Sequence, residues 1–178
     1  MERYRDGDAG AFDTLYGRHK GGVFRYLKRQ CSDAGVAEEL FQDVWMNLIR
    51  SRAGYAVEAK FTTFLYRIAH NRLIDHYRAC SGGIPVSYDA DDGPVLDEPA
   101  AARGADPAVS VHIRQQAGRL LQLIGELPES QREAFLLQQE SDMSVEDIAQ
   151  ATGVSRETAK SRLRYALARL RAGMQEAG

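Results

Sequence analysis

The sequence predicts an all-α protein: two small helical domains joined by a flexible acidic linker, the C-terminal one carrying a helix-turn-helix. Three observations lead there. Apolar residues recur at three- and four-residue spacing on both sides of a central gap, and no segment alternates convincingly with period two. The gap, "SGGIPVSYDADDGPVLDEPAAARGADP", differs in composition from everything around it. Near the C-terminus, "SVEDIAQATGVSRETAKSRLRYALARLR" sets a helix cap, a glycine turn and a second amphipathic helix in succession.

In the first domain, residues 1–80, Asp8 is placed to cap a helix in which Phe12, Leu15 and Tyr16, then Val23, Phe24 and Leu27, repeat at helical spacing. In "VAEELFQDVWMNLI" the apolar stripe is Val36, Leu40, Val44 and Leu48, and Glu39, Gln42, Asp43 and Met46 lie largely outside it. "KFTTFLYRIAHNRLIDHYR" turns Phe61, Phe64, Leu65, Ile68 and Ala69 inward and leaves Arg67, Asn71, Asp75 and Arg78 on another line. Residues 81–107 hold four of the five prolines and six acids against one base, Arg103. That segment carries −5 of a total formal charge of −2, so the flanking domains share +3 and are mildly cationic. Such a composition buries too little apolar area to order itself, and a coil of this length spans about 30 Å on average.

The second domain, residues 108–178, opens with Ile113, Ala117, Leu120, Leu121 and Ile124 at helical period, and Leu127-Pro128 ends that helix and starts the next. Ser144 with Asp147 three residues on predicts a capped helix over 145–151. Gly153 supplies the sharp turn and Ser155 caps the following helix. In that helix Ala159, Leu163, Ala166, Leu167 and Leu170 form the buried arc, packing on Ile148, Ala149 and Val154. The other arc carries Arg156, Glu157, Lys160, Ser161, Arg164 and Tyr165. Between Ser155 and Arg171 six bases meet one acid, in a chain whose net charge is negative. A solvated face mixes its signs, whereas this one suits a polyanion: a second helix offered to a DNA major groove. Arg156, Lys160, Ser161 and Arg164 are the candidates for base and phosphate contact, with Arg162 to phosphate.

Other classes are excluded by what is missing. The opening "MERYRDGDAG" has neither an apolar core nor a cleavage-site pattern, so no signal peptide is expected. No apolar run is long enough for membrane insertion. Cys31 and Cys80 lack metal-type spacing and suit a reducing compartment, which places the chain in the cytoplasm with both thiols inert. His76 and Cys80 share a helical face, but His70 points elsewhere and no fourth ligand is apparent, so no metal and no cofactor is expected. No Gly-rich phosphate loop, nucleophile–base pair or carboxylate dyad stands out, and the chain is not expected to be an enzyme.

The order of motifs is more specific than the helix-turn-helix alone. "LPESQREAFLLQQESDMSVEDIAQATGVSRETAKSRLRYALARLR" resembles the minus-thirty-five-reading domain of bacterial sigma factors. "AEELFQDVWMNLI" is similar to the helix with which their N-terminal domain grips the clamp of core RNA polymerase, and "FTTFLYRIAHNRLIDHYR" to the helix that reads and melts the minus-ten element. "GDAGAFDTLYGRH" matches the start of the same domain. Two such domains without a third between them resemble the extracytoplasmic-function (ECF) type. Phe64, Tyr55-Ala56-Val57 and Arg156-Glu157 depart from residues common in the family, and these departures bear on promoter sequence rather than on class.

The resemblance implies roles. Glu39, Gln42, Asp43 and Met46 would contact core polymerase. Melting needs cations, amides and flat side chains close together, which Lys60, Thr63, Arg67, Asn71 and Arg78 supply in part. Tyr55 and Tyr66 read equally as stacking surfaces or as core residues with the hydroxyl at the edge. The loop over residues 52–60 would hold a flipped base. The acidic linker is either a soluble spacer or a strand threading the polymerase's nucleic-acid channel. An anti-sigma factor is a further implied partner, and a stress- or envelope-related regulon an implied target. The rival reading is a stand-alone helix-turn-helix regulator whose first domain senses a ligand or dimerises. The sequence leaves open whether the two domains pack together.

Overall fold

The computed structural model describes residues 1–31, 33–80 and 108–175, with side chains from 115 onward in the last range. The linker expected at 81–107 and the inward position of Ile113 lie outside these residues. Among the described residues are eight α-helices, one short 3-10 turn and no strand. The first domain comprises α1 (Glu2–Arg5), α2 (Ala9–Gln30), α3 (Ala34–Arg50), the 3-10 turn Arg52–Gly54 and α4 (Phe61–Cys80). The second comprises α5 (Ala108–Glu126), α6 (Glu129–Ser141), α7 (Val145–Thr152) and α8 (Arg156–Gln175).

Local chemistry sets the starts. Asp8 accepts a hydrogen bond from the Ala11 amide at 3.2 Å at the head of α2. Asp33 does the same for α3, accepting from Gly35 at 2.6 Å and Val36 at 3.2 Å. Each satisfies amides that the first helical turn leaves without a partner.

In the first domain α2, α3 and α4 pack against one another. Their core holds Val23 and Leu27 from α2, Ala37, Leu40, Val44, Trp45 and Leu48 from α3, and Leu65, Ala69 and Leu73 from α4. Trp45 is the centre of an aromatic cluster, with Tyr16 at 4.8 Å, Phe12 at 6.0 Å and Phe41 at 6.2 Å between ring centroids, all edge-on.

In the second domain α6 is enclosed on several sides: α8 and α7 pack on it from their own domain, and α2 from the other. Ser130, Gln131, Glu133, Ala134, Phe135, Leu136 and Leu137 are all buried. α7 likewise packs on α8 and on α4. The two domains therefore share one continuous core. The stripe expected on α5 is corrected. Ala117 and Leu121 are exposed; Ile124 is buried and Leu120 half-buried as expected, and Leu123 and Leu127 are buried besides. The reason is geometric: α5 leans chiefly on α8, so only a narrow strip is covered, and Leu123 sits directly over the bare backbone of Gly173.

Candidate nucleic-acid interface

The helix-turn-helix is built locally. Ser144 Oγ accepts from the Asp147 amide at 3.2 Å, and the Asp147 carboxylate accepts from the Ser144 amide at 3.1 Å, a reciprocal box that opens α7. Gly153 closes it with φ of 71°, a left-handed conformation that costs glycine nothing. Ser155 Oγ then accepts from the Thr158 amide at 3.1 Å and starts α8. Ala159, Leu163, Ala166 and Leu170 are buried along α8, with Leu167 and Val154 half-buried beside them.

The outward arc of α8 presents Arg156, Lys160 and Arg164, all exposed, and Ser161, half-exposed. Arg156 is ion-paired to Glu146 on α7 and reaches Glu157 at 3.4 Å. The Arg164 guanidinium lies 5.0 Å from the Tyr165 ring centroid, so it is stacked yet open to solvent. Arg162 is corrected: only 4 % of it is exposed, so in this conformation it does not face a DNA backbone. It falls three residues after Ala159 and four before Ala166, inside the apolar arc.

On the first domain, Glu39, Gln42, Asp43 and Met46 are all exposed and follow one another along a single face of α3. Met46 is 46 % exposed and Ile49, one turn on, 38 %. Arg67, Asn71 and Arg78 are exposed along α4, as their spacing predicts. Tyr55, Thr63 and Tyr66 are not. Tyr66 is 1 % exposed, edge-on to Tyr26 at 5.5 Å, and burial pushes its hydroxyl far up. Tyr55 is 7 % exposed and edge-on to Phe64 at 5.0 Å. In this conformation both tyrosines are core residues. A cavity of about 410 Å³ lies at the α3–α4 loop, lined by Arg50, Tyr55, Thr63, Phe64 and Arg67 and by Gln150 of the second domain.

Sequence reasoning missed the contacts between the domains. Lys60 donates to Asp147 at 2.7 Å, and the buried Thr63 hydroxyl donates to the same carboxylate at 3.2 Å. Burial pushes the Asp147 carboxyl up, but hydrogen bonds from Lys60 and Ser144 more than reverse this and hold it at about 2, against an ordinary 3.8. Glu140 takes Arg25 and Arg29, each at 2.7 Å. Glu133, 1 % exposed, accepts from the Tyr26 hydroxyl and meets His70 Nδ1 at 2.8 Å. These partners stand 63 to 115 residues apart in the chain, so no local pattern announces them.

Among the described residues no group of three or more His, Cys, Asp or Glu is arranged to hold a metal ion, and no helix is long and apolar enough to cross a membrane. Cys31 and Cys80 are unbridged, and burial pushes the Cys31 thiol up, away from the reactive thiolate.

Comparison with known proteins places this geometry. Residues 15–81 match the family Sigma-70 region 2, and residues 117–170 match Sigma-70, region 4. The RNA polymerase sigma factor CarQ of Myxococcus xanthus is 30 % identical over 174 residues, covering 96 % of this chain and 93 % of that protein. The RNA polymerase sigma-H factor of Pseudomonas aeruginosa is 28 % identical, covering 92 % of this chain and 86 % of its own. In fold, the chain superposes on the sigma factor RpoE, solved with the anti-sigma factor NepR from Bartonella quintana. The TM-score is 0.68 at 22 % identity, over 93 % of this chain and 97 % of that one. CnrH, solved with the cytosolic domain of CnrY, gives 0.67 at 20 % identity over 98 % and 94 %. With both regions matched in order and a relative aligned over nearly its whole length, the chain belongs to the ECF sigma factors of the sigma-70 family, the factors that direct transcription initiation by RNA polymerase.

Proposed function

We propose that residues 1–80 bind core polymerase and read and open the minus-ten element, that residues 108–178 read the minus-thirty-five element, and that 81–107 tether the two. The observation that carries this reading is the presence in one chain of two separate exposed surfaces. One is the polar stripe Glu39, Gln42, Asp43 and Met46 on α3; the other is the cationic arc Arg156, Lys160, Ser161 and Arg164 on α8. The stripe docks on the polymerase and α8 enters the major groove. Lys60, Thr63, Arg67, Asn71 and Arg78 serve the minus-ten strand, the first two only once Asp147 has left them. Tethering two weak modules makes the second contact effectively intramolecular, so promoter affinity belongs to the assembled holoenzyme. The protein works in the cytoplasm, on a stress- or envelope-related regulon, under an anti-sigma factor. The solved complexes of RpoE with NepR and of CnrH with CnrY support such a partner. RNA synthesis itself is the core enzyme's chemistry, and this subunit is not an enzyme.

Run-off transcription by core polymerase over a fragmented genomic library, with and without this protein, tests the proposal. Discrete protein-dependent transcripts are the expected result; the absence of both transcripts and core binding would remove it. On a promoter so identified, Arg164→Ala is expected to weaken holoenzyme binding by about 1–3 kcal/mol, the worth of a bidentate base contact. Binding and transcription equal to wild type would strike Arg164 from the reading set.

A further inference from the structure

We propose that Cys80 and Cys31 form a peroxide-sensing thiol pair, with His76 taking the proton from Cys80 and a disulfide between the ends of α2 and α4 as the product. The pair stands apart from the promoter reading and uses no residue assigned to it. Far apart in the chain, the two cysteines read as inert in the sequence; the fold brings them together. Both line one cavity of about 290 Å³, with His76 between α4 and its neighbours. Tyr77 fixes how the helix ends meet, its hydroxyl donating to the Gln30 carbonyl at 2.9 Å. Cys31 follows Gln30 directly, as the C-cap of α2, and Cys80 is the last residue of α4, three after Tyr77. Residues three apart share a helical face, so both thiols are carried beside that hydrogen bond. A disulfide asks for Cα atoms within about 7 Å, and the last turn of a helix adjusts at least cost to reach it.

The two thiols are unequal, as such a pair requires. Cys80 is exposed and its Sγ lies 3.5 Å from His76 Nε2, so an imidazole stands where the thiol proton must go. Cys31 is half-buried; burial pushes its thiol up and Arg132 pulls it only part of the way back. Cys80 is therefore the nucleophile and Cys31 the thiol that resolves. Gln30, in the same cavity wall, is 3 % exposed, and neither atom of its side-chain amide has a partner among the described residues. A sulfenic acid offers such an amide both a donor and an acceptor. Charge selects the oxidant. Asp33 and Glu129 line the cavity against one cation, Arg132, whose guanidinium is occupied by the Arg29 and Leu127 carbonyls. That balance disfavours an anionic oxidant and admits a small neutral one, hydrogen peroxide.

The Cys80 thiolate attacks one peroxide oxygen. The S–O bond forms, the O–O bond breaks, and the departing hydroxide takes the proton held by His76 and leaves as water, with Cys80 now a sulfenic acid. The Cys31 sulfur then attacks the Cys80 sulfur. The S–S bond forms, the S–O bond breaks, and hydroxide leaves with the Cys31 proton as a second water. Two electrons pass from the thiols to one peroxide. A dithiol reverses the bridge by exchange, as suits a transient disulfide in a reducing compartment.

The test treats the reduced full chain with a small excess of hydrogen peroxide, using dimedone to trap sulfenic acid and peptide mapping by mass spectrometry as the readout. Wild type is expected to give the Cys31–Cys80 linkage within one chain, lost again on adding dithiothreitol, with helicity by circular dichroism unchanged. Cys31→Ser should accumulate the dimedone adduct on Cys80, and Cys80→Ser should leave Cys31 reduced at the same dose. His76→Gln should slow oxidation of Cys80 about tenfold near neutral pH, because an unaided thiol is only a few per cent thiolate there. The deficit should shrink above about pH 9, where a thiol ionises by itself. A merely structural role for His76 would give the same deficit at every pH. Glutathione disulfide, anionic and larger, should leave both thiols free.

Thiols untouched by peroxide, a sulfenic acid that persists on Cys80 of wild type, a bridge between two chains, oxidation of Cys31 first, or a linkage that costs helicity would each overturn the pair. A mixed disulfide with glutathione at the same dose would overturn peroxide as its input. A His76→Gln protein that reacts at the wild-type rate, or a deficit independent of pH, would overturn the part given to the imidazole.

Discussion

Trp45→Ala is expected to remove about 3–5 kcal/mol from the first domain, the usual loss when a buried Trp is truncated. Trp45 is 5 % exposed and has three aromatic neighbours within 6.2 Å, contributed by α2 and by α3 itself. Alanine leaves a void lined by Phe12, Tyr16 and Phe41, and their edge-on contacts are lost with the indole. Small domains are stable by only about 5–15 kcal/mol, so the loss takes a large share of the total. Urea titration followed by circular dichroism checks it; a midpoint within error of wild type would show that the cluster collapses around alanine. The functional effect follows from position. Trp45 holds the inner face of the helix whose outer face carries Glu39, Gln42, Asp43 and Met46, so core-polymerase binding should fall with stability although Trp45 itself touches no partner.

How much of this was legible in the sequence depends on distance along the chain. The helix-turn-helix was readable almost residue by residue, since the Ser144–Asp147 box, Gly153 and the arc from Ala159 to Leu170 are all interactions within a few turns. The outward lines of α3 and α4 were readable for the same reason. Arg162 is the exception, because its charge points to solvent while its position points inward: Ala159, Arg162, Leu163 and Ala166 share one helical face, and periodicity alone puts it inside. Thr63 and Tyr66 are a different case. Thr63 and His70 meet Asp147 and Glu133 of the second domain, and Tyr66 packs edge-on against Tyr26 of α2. Glu133 and Glu140 look like ordinary helix-surface acids in "ESQREAFLLQQE", and nothing near them names Tyr26, His70, Arg25 or Arg29 as partners. The sequence could pose the question of domain packing but not answer it.

The second large effect separates what builds the reading head from what reads. Ile148 is 1 % exposed on α7, which packs on α8 on one side and on α4 on the other. Ile148→Ala is expected to cost about 2–5 kcal/mol. For a chain of this length, whose two domains share one core, each kcal/mol lowers the thermal midpoint by roughly 2–4 °C, so a fall of at least about 4 °C should be visible by circular dichroism. Arg164 is exposed, and its removal should leave that midpoint where it is. Both variants should lower transcription, but for different reasons. The Ile148→Ala defect comes from molecules whose α8 has lost its support, so it should shrink as the assay is cooled towards the temperature of greatest stability. The Arg164→Ala defect comes from a missing contact in a correctly folded protein, so cooling should leave it in place. An Ile148→Ala protein with an unchanged midpoint would mean that α8 is held by the rest of its apolar arc. A defect equally deep at all temperatures would mean that α7 itself takes part in recognition.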